Sequence, residues 1–216
     1  MRDHDGVFIV FEGIDGAGTT TQIERYAEYL RAQRRAVRVT QEPSSGPIGS
    51  LLRLALAGRI NVGPSFQAQT MALLFAADRL DHLAHDIQPH LRDGSVVLSD
   101  RYDMSSIAYQ AASARLDSDE LESFQAWVRS LNRYALRPDA IVVIEVDPTE
   151  AERRRSERSS APELYEEVQL QERLAELYAS AESLSPGDRI VRIDGNASAD
   201  DVALRICAAL TPIVGS

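Results

Sequence analysis

The 216-residue chain contains no lysine and a single cysteine. Because Cys207 has no second cysteine to pair with, an intramolecular disulfide is excluded, and the composition predicts a protein of the reducing cytoplasm. All 23 basic residues are arginine, so every permanently charged side-chain cation is a guanidinium group. Any site in this chain that needs a fixed positive side chain must therefore use arginine.

An excess of positive charge and long hydrophobic runs are lacking as well. With 33 acidic against 23 basic residues, the net charge is −10, which excludes an extended nucleic-acid footprint. No apolar run approaches the roughly 18 residues that a membrane-spanning helix needs. Residues 1–6 are charged and polar and do not resemble a signal peptide. We therefore expect neither a nucleic acid nor a membrane as partner.

Five short apolar runs alternate with longer helical stretches. Their near-continuous hydrophobicity predicts strands that are covered on both faces, as in a parallel sheet. The pattern predicts one α/β domain over residues 1–216, a three-layer fold with a five-stranded parallel sheet flanked by helices. In such sheets ligands bind at the carboxyl ends of the strands. The runs are Val7 to Glu12, Ala36 to Gln41, Ser95 to Asp100, Ala140 to Val146, and Ile190 to Asp194.

A glycine-rich turn follows the first predicted strand and precedes an amphipathic helix that extends to about Arg34. Glycines let backbone N–H groups point inward as an anion nest, and the helix N-terminus adds the positive end of its dipole. The turn is therefore predicted to bind the phosphates of ATP, with the Thr20 hydroxyl placed to ligate Mg²⁺. Its residues are Gly13, Ile14, Asp15, Gly16, Ala17, Gly18, Thr19 and Thr20.

The turn matches the phosphate-loop pattern G-x-x-x-x-G-K-[ST] except that Thr19 stands in the lysine position. Lysine there bridges the β- and γ-phosphates, whereas threonine brings one hydrogen-bond donor and no charge. Either an arginine performs this role or the chemistry is slow. The alternative interpretation of the segment is an ordinary glycine-rich turn between a strand and a helix.

Several motifs along the chain together resemble the thymidylate kinase family. The resemblance covers residues 7 to 210 and starts from the run Val10 to Gln22, which departs from the family at Thr19. Two further departures are Gln41, where many relatives have arginine, and Ser44-Ser45, where they have two glycines. The remaining motifs are Glu42-Pro43, Phe75-Ala76-Ala77-Asp78-Arg79, Asp100-Arg101-Tyr102, Ala108-Tyr109-Gln110 and Tyr165-Glu166.

The resemblance implies a P-loop NTPase fold and a homodimeric kinase that transfers the γ-phosphoryl group of Mg-ATP to dTMP, giving dTDP and ADP for dTTP synthesis. It also assigns roles to individual residues. Phe75 would stack on thymine, Arg79 would hold the acceptor nucleotide, and Arg101 would bind phosphoryl groups beside Asp100, which would organise the water shell of Mg²⁺. Asp15 would accept from the 3′-hydroxyl, Ser106 and Tyr109 would read base and sugar, and Tyr165 would exclude ribonucleotides.

The resemblance further implies a lid at about residues 151–165. Family variants with a small residue in the phosphate loop, as Ala17 is here, place a catalytic arginine in this lid. We therefore expect one lid arginine to cover the role of the missing lysine when the lid closes. The candidates are Arg153, Arg154, Arg155 and Arg158.

Other interpretations of these residues remain open at this point. Without the resemblance, Phe75 and Tyr109 would be assigned to the core and the arginine cluster to a solvated helix face. His82, His85 and His90 lack metal-site partners and are predicted to lie on the surface. The functional alternatives are a kinase for another pyrimidine nucleotide and, because of Thr19, a nucleotide-binding protein with little or no turnover.

Overall fold

A computed structural model describes residues 4–114, 116, 118–158 and 165–215. The side chains of Pro64, Ser118, Arg158 and residues 165–167 lie outside this description. Five parallel strands form one sheet in the order β2-β3-β1-β4-β5. This confirms the predicted α/β architecture. The strands are β1 (Val7–Glu12), β2 (Val37–Gln41), β3 (Val96–Asp100), β4 (Ala140–Glu145) and β5 (Ile190–Asp194).

Helices connect the strands and cover both faces of the sheet. A 3₁₀ turn at Pro64–Phe66 precedes the third helix, and a π-helical segment at Leu83–Ile87 joins it to the fourth. The α-helices are α1 (Thr19–Ala32), α2 (Pro47–Leu56), α3 (Gln67–His82), α4 (Gln88–Arg92), α5 (Asp103–Ser113), α6 (Ser118–Leu131), α7 (Pro148–Arg158), α8 (Tyr165–Ala179), α9 (Ala181–Leu184) and α10 (Ala199–Val214).

The three central strands carry most of the core. In β1, β3 and β4 nearly every side chain is buried, because helices lie against both faces of the sheet. The edge strands β2 and β5 are mostly half-buried. The predicted strand runs agree with the observed bounds to within one residue at each end. Cys207 is half-buried and packs against the core.

Two helices begin with a side-chain oxygen that accepts from a backbone N–H of the first turn. Asp147 Oδ1 accepts from Thr149 N at 2.9 Å at the start of α7, and Ser198 Oγ accepts from Asp201 N at 3.2 Å at the start of α10. No helix in the described ranges is long and apolar enough to cross a membrane.

Candidate active site

The glycine-rich turn at the end of β1 has a backbone conformation that requires glycine. Gly16 and Gly18 both have φ near +91°, a conformation that residues with a Cβ rarely adopt. A Cβ built on Gly16 would lie 2.4 Å from the carbonyl oxygen of Ala151, so α7 passes directly over the turn. Glycine at 16 therefore allows both the turn and the close approach of the helix that carries the lid arginines.

Thr19 begins α1 and is nearly buried. Its methyl carbon lies 3.6 Å from the position that a Cβ on Gly13 would occupy, so the methyl group faces the interior of the turn. The position of the usual lysine is thus filled by a short side chain that carries no charge.

Thr20, in the first turn of α1, contacts Asp100 at the carboxyl end of β3. Thr20 Oγ1 donates to Asp100 Oδ2 at 2.6 Å, while Asp100 Oδ1 is buried and has no hydrogen-bond partner among the described residues. A hydroxyl beside a carboxylate with an unpartnered oxygen is a donor set that suits Mg²⁺ or a water molecule in its shell. The two residues predicted from the sequence for the metal therefore lie together and fit it.

Asp15 is the centre of the side-chain network at this turn. Its Oδ1 accepts from Arg101 Nη2 at 2.5 Å and from Tyr109 OH at 2.9 Å. Gln171 of α8 holds it twice, accepting from its N–H and donating to Oδ2, both at 3.1 Å. Its carbonyl oxygen accepts from Arg155 of α7. Three predicted site residues, Arg101, Tyr109 and Arg155, therefore converge on Asp15, together with Gln171 of α8.

Arg101 is half-buried and has an unusual backbone for a residue other than glycine, with φ near +70°. Its guanidinium carbon lies 4.9 Å from the centroid of the Tyr109 ring. Burial alone would lower the pKa of this guanidinium, but Tyr109, Tyr178, Asp15 and Glu12 raise it overall. Arg101 is thus a permanently charged group in a position that the surrounding structure fixes.

Glu12 is a buried carboxylate that holds the backbone next to Arg101, and sequence reasoning did not identify it. Glu12 Oε1 accepts from the N–H groups of Tyr102 and Ser105, and Oε2 accepts from Ser105 Oγ and from Tyr178 OH. Burial raises the pKa of Glu12, and the hydrogen bond from Ser105 and the charge of Arg101 oppose that rise. Glu12 thereby fixes the first turn of α5, which directly follows Arg101.

Arg79 is completely buried. Its Nη2 donates to Glu42 Oε2 at 2.5 Å and to Ser106 Oγ at 3.1 Å, and its Nη1 donates to Asn132 at 2.6 Å. Burial lowers the pKa of the guanidinium, but the charge of Glu42 raises it overall. Arg79 and Ser106, both predicted acceptor-site residues, are thus in contact. Phe75 lies one helical turn before Arg79 and is half-buried.

The prediction that the three histidines lie on the surface is wrong for His82. It is buried on the same face of α3 as Arg79, with Nε2 2.7 Å from Thr40 Oγ1 and Nδ1 3.5 Å from a carboxylate oxygen of Glu42. A spacing of three residues places both side chains on the inner face of the helix. His85 is exposed and His90 is partly so. In the described part of the chain, no three His, Cys, Asp or Glu residues form a metal-binding group.

The lid arginines have different surroundings. Arg153 is exposed and pairs with Glu150 and Glu157. Arg154 donates to Glu150 at 2.8 Å and to the carbonyl oxygen of Gly195 at 2.9 Å. Hydrogen bonds from both arginines lower the pKa of Glu150 to about 2. Arg155 alone among the three reaches the glycine-rich turn through a hydrogen bond that the structure describes.

The remaining lid predictions fall on parts that the structure does not describe. The side chains of Arg158 and Tyr165 and residues 159–164 lie outside the described residues. The observed helices α7 and α8 end and begin on either side of this segment.

Two cavities lie on opposite sides of the turn. One of 410 Å³ is bounded by Gly18, Gln22, Arg154 and the segment from Gly195 to Ala199. The other, of 370 Å³, lies beside Thr20, Asp100, Gln41 and Arg53. Sequence reasoning missed Gln22, Arg53 and the segment after β5. The rule that ligands bind beyond strand ends could have identified that segment, since β5 ends at Asp194.

Comparison with known proteins agrees with this arrangement. A sequence profile of the family described as Thymidylate kinase matches residues 11–206. A protein of Thermococcus gammatolerans named "Probable thymidylate kinase" is 40% identical over 190 residues, which cover 86% of this chain and 88% of that protein. The chain belongs to the thymidylate kinase family. It is therefore an enzyme, and its class is the kinases.

Two further relatives show the same extent of similarity. The "Probable thymidylate kinase" of Thermococcus onnurineus is 38% identical over 200 residues, 91% of this chain and 93% of that protein. The "Thymidylate kinase" of Bifidobacterium longum strain NCC 2705 is 42% identical over 149 residues, 67% of this chain and 68% of that protein. Similarity to the family thus extends from the glycine-rich turn to α10, over residues 11–206.

Proposed function

We propose that this protein transfers the γ-phosphoryl group of Mg-ATP to dTMP, giving dTDP and ADP for dTTP synthesis, without a lysine in its phosphate loop. The observation that carries this proposal is the contact of Arg101 and Tyr109 with Asp15, beside the pair Thr20–Asp100. A fixed cation stands where two phosphate-bearing substrates must meet. Family membership supplies the acceptor, dTMP.

The donor and acceptor are proposed to occupy opposite sides of β1. The cavity bounded by Gly18 and Gly195 lies toward β4 and β5. Arg79 instead binds Glu42, which follows β2, and Ser106 and Tyr109 lie on α5, which follows β3. The glycine-rich turn is central, so a triphosphate bound there has its base on one side and its γ-phosphoryl group toward Arg101. This placement supports in-line transfer between the two sites.

Chemistry at this site requires charge neutralisation more than acid–base catalysis. An oxygen of the dTMP phosphate attacks the γ-phosphorus, and the bond from that phosphorus to the β–γ bridging oxygen breaks, so that ADP leaves with the electron pair. Bound Mg²⁺ would neutralise the β- and γ-phosphate oxygens, and Thr20 and Asp100 are the residues that fit it. Arg101 supplies a charge for the oxygens of the transferred group.

Arg155 is our candidate for the role of the missing lysine. Its hydrogen bond to the Asp15 carbonyl brings its guanidinium to the glycine-rich turn, which also contains the uncharged Thr19. Arg153 and Arg154 are held by Glu150 instead. A small movement of α7 would transfer Arg155 from a backbone oxygen to a phosphate oxygen, which carries more negative charge.

The direct test measures ADP release from purified protein with Mg-ATP and dTMP, dUMP, CMP or thymidine. We expect dTMP to be phosphorylated with a kcat/KM at least tenfold above the others, because the acceptor site is built around one base. A higher rate with another acceptor would assign the enzyme to that pyrimidine nucleotide. Tight binding of both nucleotides with no dTDP formed would identify a nucleotide-binding protein without turnover.

A homodimer is proposed as the working form. Exposed apolar side chains lie on α2 and on the outer face of α3, where Leu73, Ala77 and Leu80 recur at helical spacing. A monomer rarely leaves such a surface in water, and a second copy of the chain would cover it. The proposed compartment is the cytoplasm, which the single thiol favours.

The dimer is tested by adding charge to the outer face of α3. The double variant Leu73→Glu, Leu80→Glu is expected to sediment as a monomer, because burying two carboxylates in an apolar interface is unfavourable. Leu204→Glu is the matched control, since Leu204 is an isolated exposed leucine on α10. A wild-type protein that sediments as a monomer at micromolar concentration would refute the proposal.

A further inference from the structure

Arg53 contributes a positive charge to the wall of the 370 Å³ cavity on the proposed acceptor side of the glycine-rich turn. Two carboxylates, those of Glu24 and Asp100, line the same cavity, so a phosphate group that enters it is repelled unless a cation offsets them. The other arginine in the lining, Arg38, binds both carboxylate oxygens of Asp86, at 2.8 and 3.0 Å. Arg53 is thus the arginine in this wall that the described residues leave without a carboxylate partner.

Every described partner of Arg53 is an uncharged oxygen. Nη1 donates to the carbonyl oxygen of Pro43 at 3.2 Å and to that of Ser44, and Nη2 donates to Ser50 Oγ at 3.0 Å. After these bonds, Nε–H and one N–H of Nη2 have no partner in the described part of the chain. Donors on two neighbouring nitrogens of a guanidinium group can bind two oxygens of one phosphate, and such charge-assisted bonds are about twice as strong as bonds to neutral oxygens.

The loop that Arg53 contacts is fixed from its other side. The N–H and the hydroxyl of Ser44 both donate to the carboxylate of Asp78, at 2.8 and 2.5 Å, and Asp78 is completely buried. Gly49 lets α2 approach this loop, because a Cβ there would lie 2.1 Å from the carbonyl oxygen of Ser44. Arg53 is therefore held in one place before a ligand arrives, which reduces the conformational entropy lost on binding.

We propose that Arg53 binds the phosphate group of the acceptor nucleotide through Nε–H and Nη2–H. This inference rests on the proposed function for the identity of the acceptor, a nucleoside monophosphate. Its phosphate carries roughly two negative charges near neutral pH and needs a cation that is not already paired. Arg101 and Arg79 each have a carboxylate partner, whereas Arg53 has none among the described residues. Arg53 thus holds the acceptor while Arg101 serves the transferred group.

Equilibrium binding of dTMP and thymidine to the full chain, without ATP, tests the inference independently of catalysis. The two ligands differ only in the phosphate group, so the ratio of their affinities reports the contact with that group. Arg53→Met keeps much of the stem and removes the guanidinium. We expect it to lower the preference for dTMP over thymidine about ten- to a hundredfold, with the affinity for thymidine within about threefold of wild type. An unchanged preference would overturn the proposal, whether or not the protein phosphorylates dTMP.

A control variant and a second ligand separate phosphate binding from support of the loop. Arg59→Met removes the same group from an exposed position that is not among the described residues of the cavity wall, and it should keep the wild-type preference. Arg53→Met should bind Mg-ATP within about threefold of wild type. If it weakens dTMP and thymidine equally, Arg53 only supports the loop and the proposal fails. A loss of Mg-ATP affinity as large as that for dTMP would assign Arg53 to the donor and also refute it.

Discussion

Replacing Arg101 with alanine lowers kcat for dTMP phosphorylation by about 10³- to 10⁴-fold, as expected for loss of an arginine that stabilises a transferring phosphoryl group. The expected loss of kcat is large because the chain contains no lysine that could supply the missing charge. The effect on KM should be much smaller, because the charge matters most when it develops in the transition state. Steady-state kinetics with saturating ATP and varied dTMP provide the measurement.

Backbone strain at Arg101 allows catalytic and structural effects to be separated. Because φ is near +70° there, Arg101→Gly relieves the strain while removing the same side chain. We expect Arg101→Gly to be as inactive as Arg101→Ala but at least as stable to urea. Arg129→Ala, on α6, where the guanidinium donates to the carbonyl oxygen of Ser183, is the control for loss of an arginine and should retain wild-type activity. An Arg101→Ala variant with more than a tenth of the wild-type kcat would exclude Arg101 from phosphoryl transfer.

The second large effect is expected at Arg155. Arg155→Ala should lower kcat by about 10³-fold, since we propose that this guanidinium takes the place of the phosphate-loop lysine. Arg153→Ala should stay within about threefold of wild type, because Arg153 is an exposed residue paired with Glu150 and Glu157 on the surface of α7. The two variants remove the same group from the same helix two residues apart, so general effects of charge cancel in the comparison.

A double-mutant cycle asks whether Arg155 and the lysine position share one role. Thr19→Lys should restore activity to Arg155→Ala by at least tenfold, and should change the wild-type enzyme much less, because the two cations then serve the same phosphate oxygens. Additive effects of the two substitutions would mean that Arg155 acts elsewhere. A large gain from Thr19→Lys alone, over a wild-type rate near zero, would favour a nucleotide-binding protein that has lost turnover.

Features that depend on sequential neighbours were predictable from the sequence. Continuous apolar runs identify buried parallel strands, and the glycine spacing identifies the turn after β1, because both are local properties of the chain. Asp15, Thr20, Asp100, Arg101 and Tyr109 were expected at one site, and the structure brings all five to the same edge of the sheet.

Features that depend on distant partners were not predictable. Glu12 binds a helix that begins 91 residues later, and Gln171 binds Asp15 across 156 residues. Nothing local distinguishes these polar residues from those on a solvated surface. His82 was misplaced for the same reason: its burial depends on Thr40 and Glu42, which approach only after β2 pairs with β3.

Helix α3 presents an exposed apolar face and, on its opposite side, residues of the candidate active site. Its outer face carries Leu73 and Leu80, and its inner face carries Phe75 and the buried pair of Arg79 with Glu42. If the proposed dimer forms on the outer face of α3, a displacement of this helix by the neighbouring copy would also move Phe75 and Arg79 on its inner face. Under the proposed function, self-association and dTMP binding would then be coupled, and dilution of the protein would weaken its hold on dTMP.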